Sequence, residues 1–254
     1  MKKILNLLLL TAIVVSVACT GNTPHEKGEQ AGKERHKGDT GYTGIKNYFS
    51  GEYKVKDVEF KNGIKDGVTH TYYKGGIVKN EILYKNNVKN GDSKWYYPDG
   101  KLFRVTPYLN DTINGSQIQY YKSGKVKAKI DYVDGRRVPV LSEYDIYGIK
   151  VTDYPKITYR VVDNYKTNGV YKIFIEMSDL SENVKYYKGD YVNGLVDLSA
   201  CTPLLQNATT GYLDLKKGTA NAADSIPFIA GYLTTYGNRL YYRIAVPVPY
   251  KDLN

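Results

Sequence analysis

Residues 84–107 read YKNNVKNGDSKWYYPDGKLFRVTP, and the chain then says nearly the same thing again. Tyr108 opens YLNDTINGSQIQYYKSGKVKAKID, and one segment earlier Phe60 opens FKNGIKDGVTHTYYKGGIVKNEIL. The ring that starts each phrase falls at Phe60, Tyr84, Tyr108 and Tyr132, 24 residues apart each time. Gly67, Gly91 and Gly115 follow seven residues in, and Gly76, Gly100, Gly124 and Gly148 sixteen in. Between them stand Tyr72-Tyr73, Tyr96-Tyr97 and Tyr120-Tyr121. The fourth copy has Pro139 for the first glycine and Tyr144-Asp145 for the aromatic pair, as a terminal cap would. A degenerate earlier copy starts near His36 and keeps Tyr48-Phe49 and Gly51. Agreement at this many positions without an insertion identifies an internal repeat.

Each unit carries two turn signals. One is Asn62-Gly63, Asn86-Asn87, Asn110-Asp111 and Asp134-Gly135, short residues that tolerate the positive φ of tight hairpins. The other is Lys74-Gly75-Gly76, Pro98-Asp99-Gly100 and Lys122-Ser123-Gly124. Between turns the pattern has the period of two of a strand with one dry and one wet face. Val126, Ala128, Ile130 and Tyr132 alternate with Lys125, Lys127, Lys129 and Asp131. Val78, Ile82 and Tyr84 repeat the dry face, as do Leu102 and Tyr108, although Arg104 and Thr106 intrude. A lone hairpin cannot bury such a face, so the phrase recurs and the hairpins stack into an antiparallel β-meander. Tyr supplies much of the interior: the chain has 27 Tyr against 5 Phe and 1 Trp. Tyr packs a flat ring and keeps a wet hydroxyl, which suits a thin sheet.

On these residues the stretch resembles the bacterial variant of the MORN repeat: a Tyr, an Asn/Gly turn, a Gly, an aromatic pair, then x-G-K-L. The resemblance covers about residues 48–152 and implies a scaffold or binding surface. Many bacterial proteins of this kind are labelled antitoxins of toxin–antitoxin systems, so it also implies an immunity or antitoxin role as an alternative.

The N-terminus reads as an export signal. Lys2 and Lys3 precede the apolar run 4–15, and Ser16-Val17-Ala18 leads to Cys19. The string VSVAC resembles a bacterial lipobox, with Ser16 where a Leu-like residue usually stands. The resemblance implies removal of residues 1–18 and acylation of Cys19. It places the protein in the bacterial cell envelope, at the outer membrane, held by an N-terminal lipid. Residues 19–41 are polar and aperiodic and read as a disordered tether. With Cys19 lipidated, Cys201 is left alone, which excludes a disulfide framework and suits a small buried residue.

After Tyr154-Pro155 the period stops. Residues 153–254 read as a β-rich domain, with strands at 157–162, 170–177, 184–192, 195–198, 211–215, 228–234 and 240–246. That number of short strands suggests a β-sandwich, and the fold class is therefore all-β. Stretches 202–207 and 216–225 read as loops. Charge separates the halves: residues 60–152 hold 16 Lys/Arg against 9 Asp/Glu, and residues 153–254 hold 11 against 10. A basic segment can be a solubilising surface or can meet an anionic partner, and export disfavours nucleic acid. No paired Cys, His ligand spacing, calcium loop or phosphate loop is present, so no cofactor and no metal is expected. Carboxylates are plentiful but no spacing singles out an acid/base pair, which leaves an envelope glycan-processing enzyme as a remote alternative. The expected function is a lipid-anchored, non-enzymatic binding or scaffold protein that presents its repeats to an anionic envelope component or a protein. The candidate surface combines Lys79, Lys101, Lys125, Lys127 and Lys129 with Trp95, Tyr97, Phe103 and Tyr121. Lys125, Lys127 and Lys129 are expected on one face of one strand.

Overall fold

The computed structural model describes residues 41–219 and 223–253, all within the compact unit Asp39–Asn254. The expected signal segment, Cys19 and all but the last residue of the tether lie outside the described residues. Among those described, no helix is long and apolar enough to cross a membrane.

The first half is one antiparallel sheet. Its strands are β1 (Gly44–Ser50), β2 (Tyr53–Lys61), β3 (Ile64–Tyr72), β4 (Val78–Lys85), β5 (Val88–Lys89), β6 (Gly91–Tyr96), β7 (Leu102–Leu109), β8 (Thr112–Ile113), β9 (Gly115–Tyr120), β10 (Val126–Val133) and β11 (Arg136–Glu143). They lie in chain order, with β5 on β4 and β8 on β7 as short extensions. The turn chemistry explains the meander. Asn86 and Asn87 have φ of 51° and 68°, and Asn110 and Asp111 have 50° and 65°, the paired positive values of a tight hairpin. Each Tyr-side turn closes with the same two backbone bonds. Tyr97 N–H donates to Lys101 O and Gly100 N–H to Tyr97 O, and the neighbouring copies repeat this. Gly67, Gly91 and Gly115 share φ of 124°, 108° and 112°. A Cβ there would strike Glu59, Leu83 and Pro107, which are also 24 residues apart.

Each unit also holds a bulge that its constant length conceals. Trp95 opposes Arg104 and Tyr96 opposes Leu102, so Phe103 is extra. Lys79 and Lys127 are extra in the same way, and Val55 is extra in the first copy. A bulge resets the alternation and increases the twist. It corrects the expected dry face. Val126 stands opposite Tyr120 and is exposed, while Ala128 and Ile130 are buried. Thr106 does not intrude; it is 1% exposed, in a buried row with Val58, Thr69, Ser93, Gln117, Ile130 and Leu141.

Copies are joined by hydroxyls. The second Tyr of each pair donates to the backbone of the next copy: Tyr73 to Tyr96 O, Tyr97 to Tyr120 O and Tyr121 to Tyr144 O, each at 2.8 Å. At the opposite rim, Asn87 Oδ1 accepts from Lys65 N–H at 2.7 Å and Asp111 Oδ1 from Lys89 N–H at 2.8 Å. Tyr thus serves as both packing ring and polar link.

The second half is a sandwich. Its elements are β12 (Ile157–Asn164), α1 (Tyr165–Asn168), β13 (Val170–Met177), β14 (Val184–Lys188), β15 (Thr202–Pro203), β16 (Leu205–Gln206), β17 (Thr210–Lys216), β18 (Ser225–Leu233) and β19 (Arg239–Pro247). One sheet runs β12-β13-β17-β16 and the other β15-β14-β18-β19. Alternate residues of β13, Tyr171, Ile173, Ile175 and Met177, are buried against Tyr186, Phe228, Ala230 and Val246 in one core. Three expectations change here. The strand expected at 184–192 is β14, which ends at Lys188. The strand expected at 195–198 is reduced to two isolated bridges, Leu195 to Val192 and Val196 to Arg137, followed by a 3-10 turn. The loop expected at 202–207 carries β15 and β16, strands too short to show a period.

The sandwich closes over one end of the meander. β11 lies against β19. At this joint Glu143 is fully buried and accepts from Tyr154 Oη (2.9 Å), Thr234 Oγ1 (2.9 Å) and Asn238 Nδ2 (2.7 Å). Asn238 Oδ1 in turn accepts from Gln119 at 2.8 Å. Three donors supply what a buried carboxylate needs. Burial first, and then Glu143, push the Tyr154 hydroxyl above its ordinary range.

Candidate functional site

Opposed residues of an antiparallel sheet share a face, which sorts the nine candidate residues. Trp95, Arg104, Gln119, Ala128 and Glu143 oppose one another in turn, and Glu143 and Gln119 meet the sandwich. Trp95 therefore lies on the sandwich side. Lys94, Val105, Ile118, Lys129 and Ser142 form the matching row on the opposite face. Lys129 and Trp95 thus point away from each other, and the expected single surface divides in two.

The sandwich-side group is aromatic. Tyr97 and Phe103 meet edge-on at 5.1 Å, and the Arg104 guanidinium sits 4.3 Å from the centre of the Trp95 ring. Phe103 and Lys127 are the extra residues of their bulges. The Lys127 ammonium lies 6.0 Å from the Tyr121 ring, so Lys127 does not share a face with Lys129. Tyr97 and Tyr121 use their hydroxyls as links between copies, and burial raises both above the ordinary phenol range. Lys79 and Lys101 are exposed, Lys79 at a bulge and Lys101 beside a turn.

The opposite face has a concave feature. Ile118, Lys125, Val126, Lys129, Tyr144, Tyr147 and Gly148 line a pocket of about 550 Å³ on the last copies. Lys125 Nζ donates to Tyr147 O at 3.1 Å. The turn that forms the rim repeats the backbone of its predecessors: Asp145 N–H donates to Ile149 O and Gly148 N–H to Asp145 O. Its residues differ. Where earlier copies have Lys74-Gly75, Pro98-Asp99 and Lys122-Ser123, this one has Ile146-Tyr147, and Ile149 follows where Lys101 and Lys125 stood. Ile146, Tyr147 and Ile149 are 60%, 72% and 66% exposed. The turn forms equally well from polar residues, so folding does not require these apolar ones. The substitution was visible in the sequence, but Ile118, Val126, Tyr144 and Tyr147 were not singled out there. They gather around two lysines only once the bulge turns Val126 outward.

Residues 89–110 and 113–134 match the MORN repeat variant. The two stretches are MORN repeats. No curated protein matches the chain. MORN repeats in general suggest a binding or scaffold role.

Next to the matched MORN units, the earlier copies carry a polar ladder on the pocket face. Asp57 meets Lys54 at 2.6 Å, Tyr72 Oη at 2.5 Å and His70 Nδ1 at 2.9 Å, and Glu81 meets Lys94 at 2.9 Å. Burial pushes the Asp57 carboxyl up, but Lys54, Tyr72 and His70 together hold it down at about 2. Its partners make this a structural ladder. Among the described residues, no cluster of three or more His, Cys, Asp or Glu could hold a metal. Cys201 directs its thiol to the carbonyls of Asp197 (3.4 Å) and Asp190 (3.8 Å). Burial, then those two carboxylates, raise its pKa above the ordinary thiol value.

Proposed function

We propose that the protein is a non-catalytic binding protein, in which the MORN sheet recognises an anionic partner and the sandwich braces one end of that sheet. The pocket on the last copies carries this reading. It sets Lys125 and Lys129 around the apolar surface of Ile118 and Val126, beside a turn whose polar residues have been replaced by Ile146 and Tyr147. A ligand with an acidic group and an apolar or ring-bearing body fits that combination. The excess of 16 basic over 9 acidic residues in 60–152 adds long-range attraction. The signal-like run ending in Cys19 supports a lipid-anchored setting in the bacterial envelope, where such a partner would be an acidic glycan, a headgroup or an acidic protein.

The two faces allow a direct test. Lys125→Glu/Lys129→Glu alters the pocket, and Lys79→Glu/Lys127→Glu makes the same charge change on the aromatic side. The first pair is expected to lose retention of acidic envelope components on immobilised protein. The second pair is expected to keep it. Retention by the wild type should weaken as salt rises through roughly 0.1 M, where the Debye length is about 10 Å. Equal loss in both pairs would make the charge non-specific, and no loss in either would end this reading.

A further inference from the structure

The two ends of the MORN sheet are unlike. At one end β11 lies against β19, and Arg137 is bridged to Val196. At the other end β1 has β2 on one flank and, among the described residues, no strand on the other. Six of its seven residues are exposed, with Ile45 at 60% and Phe49 at 61%. Exposed strand edges of this kind are templates for pairing. Two of the usual protections are missing from β1: it has no proline, and the extra residue of its pairing, Val55, belongs to β2.

We infer that β1 is a self-association edge, pairing antiparallel with β1 of a second copy about a two-fold axis at Asn47. The sequence Gly44-Ile45-Lys46-Asn47-Tyr48-Phe49-Ser50 is chemically matched to its own reverse. Centred on Asn47, all seven residues overlap. Ile45 opposes Phe49 of the second copy on both sides of the axis, joining the two most exposed apolar side chains of the strand. Lys46 opposes Tyr48 of the second copy. Asn47 opposes itself. Lys46 is the strand's one charge, so no like charges stand directly opposite. Ile45 O accepts from Tyr42 Oη at 3.0 Å, and a carbonyl has a second lone pair for a cross-strand bond.

A second copy is the occupant because the pairing closes. Among the described residues each sheet has one unpaired edge and one edge occupied by its sandwich, so two edges meet and none is left to propagate. The axis is perpendicular to the sheet, so both copies keep the same face up. Both pockets then open on one side of a continuous sheet. In a flat sheet at about 4.8 Å per strand they would lie about 70 Å apart. That consequence rests on the pocket reading above; the pairing itself does not.

The register makes the inference testable with the purified full chain carrying Cys19→Ser and Cys201→Ser. Asn47→Cys places two thiols directly across the axis, with Cβ atoms about 5 Å apart. Mild oxidation should link it into a covalent dimer. In Ile45→Cys the same thiols lie about 13 Å apart, four strand positions, and should not link. Ile45→Cys/Phe49→Cys should link. Sedimentation velocity from about 1 µM to about 1 mM, the span of weak dimers, should show a monomer–dimer equilibrium. Asn47→Pro should abolish it while far-UV circular dichroism is retained. A monomeric mass throughout that range would overturn the inference. So would a dimer that Asn47→Cys does not link, or linkage of Ile45→Cys as efficient as that of Asn47→Cys.

Discussion

The sandwich and the MORN sheet are both all-β, yet they are held together differently. Fourteen fully or nearly buried apolar residues form one contiguous core in the sandwich, among them Ile173, Ile175, Met177 and Phe228. The MORN sheet spreads its buried residues along a row that includes Thr69, Ser93, Thr106 and Gln117. It relies on Tyr hydroxyls and turn amides that join each copy to the next. Buried apolar contacts are shared among many neighbours, so a defect in the core is felt throughout it. A hydroxyl link joins two copies, so a defect there stays local. Glu143, the Gln119–Asn238 bond and the Arg137–Val196 bridge join the two regimes.

The largest expected effect is in the sandwich. Phe228→Ala should cost about 3–5 kcal/mol by truncating a fully buried ring. Trp95 is the one tryptophan and lies in the MORN sheet, so its fluorescence reports separately from the sandwich. If Glu143 couples the halves, urea unfolding followed at Trp95 should shift with the far-UV signal. A Trp95 transition that does not move would show two independent units.

Asp57 should give a smaller effect confined to acid. Its folded pKa, about 2, lies below the unfolded value near 3.8. Its ionised form therefore stabilises the fold above pH about 4, and that stability is lost as pH falls through about 2. Lys54 is about one-third exposed, and solvent screening brings the contribution to about 1–2 kcal/mol. Asp57→Asn should unfold at lower urea than wild type at pH 5, and the two midpoints should converge at pH 2. Parallel midpoints across that range would remove the ladder's electrostatic role.

The smallest effect tests locality. Tyr97→Phe keeps the ring and deletes one 2.8 Å hydrogen bond to Tyr120 O. It should cost about 1 kcal/mol. Amide exchange should quicken in the strands flanking β7 and stay unchanged in β13 and β18. Faster exchange throughout would mean that the copies do not act as separate links.

The fold was largely legible because its evidence repeats. Turn residues and glycines recur at one spacing, and each copy checks the others. The bulge was not legible. Val55, Lys79, Phe103 and Lys127 are extra in every copy, so the period stays constant and gives no sign of them. Lys125, Lys127 and Lys129 therefore looked like one row, and the candidate site was assigned to one face when it occupies two. Most sandwich strands showed through their alternation, as in β13. β15 and β16 did not, since two residues carry no period. The joint could not be read either. Glu143 and Asn238 are 95 residues apart, and nothing local to either residue names the other.

The hydroxyl links have one more consequence. Each runs to a carbonyl 23 residues ahead, so no link passes over an intervening copy. If residues 84–107 were removed, Tyr73 would face Tyr120 O in place of Tyr96 O, and both cut ends would find an equivalent partner. The molecule is in this sense a measured spacer. The distance from β1 to the sandwich is graduated in steps of about 10 Å, two strand widths, and the number of copies sets the span.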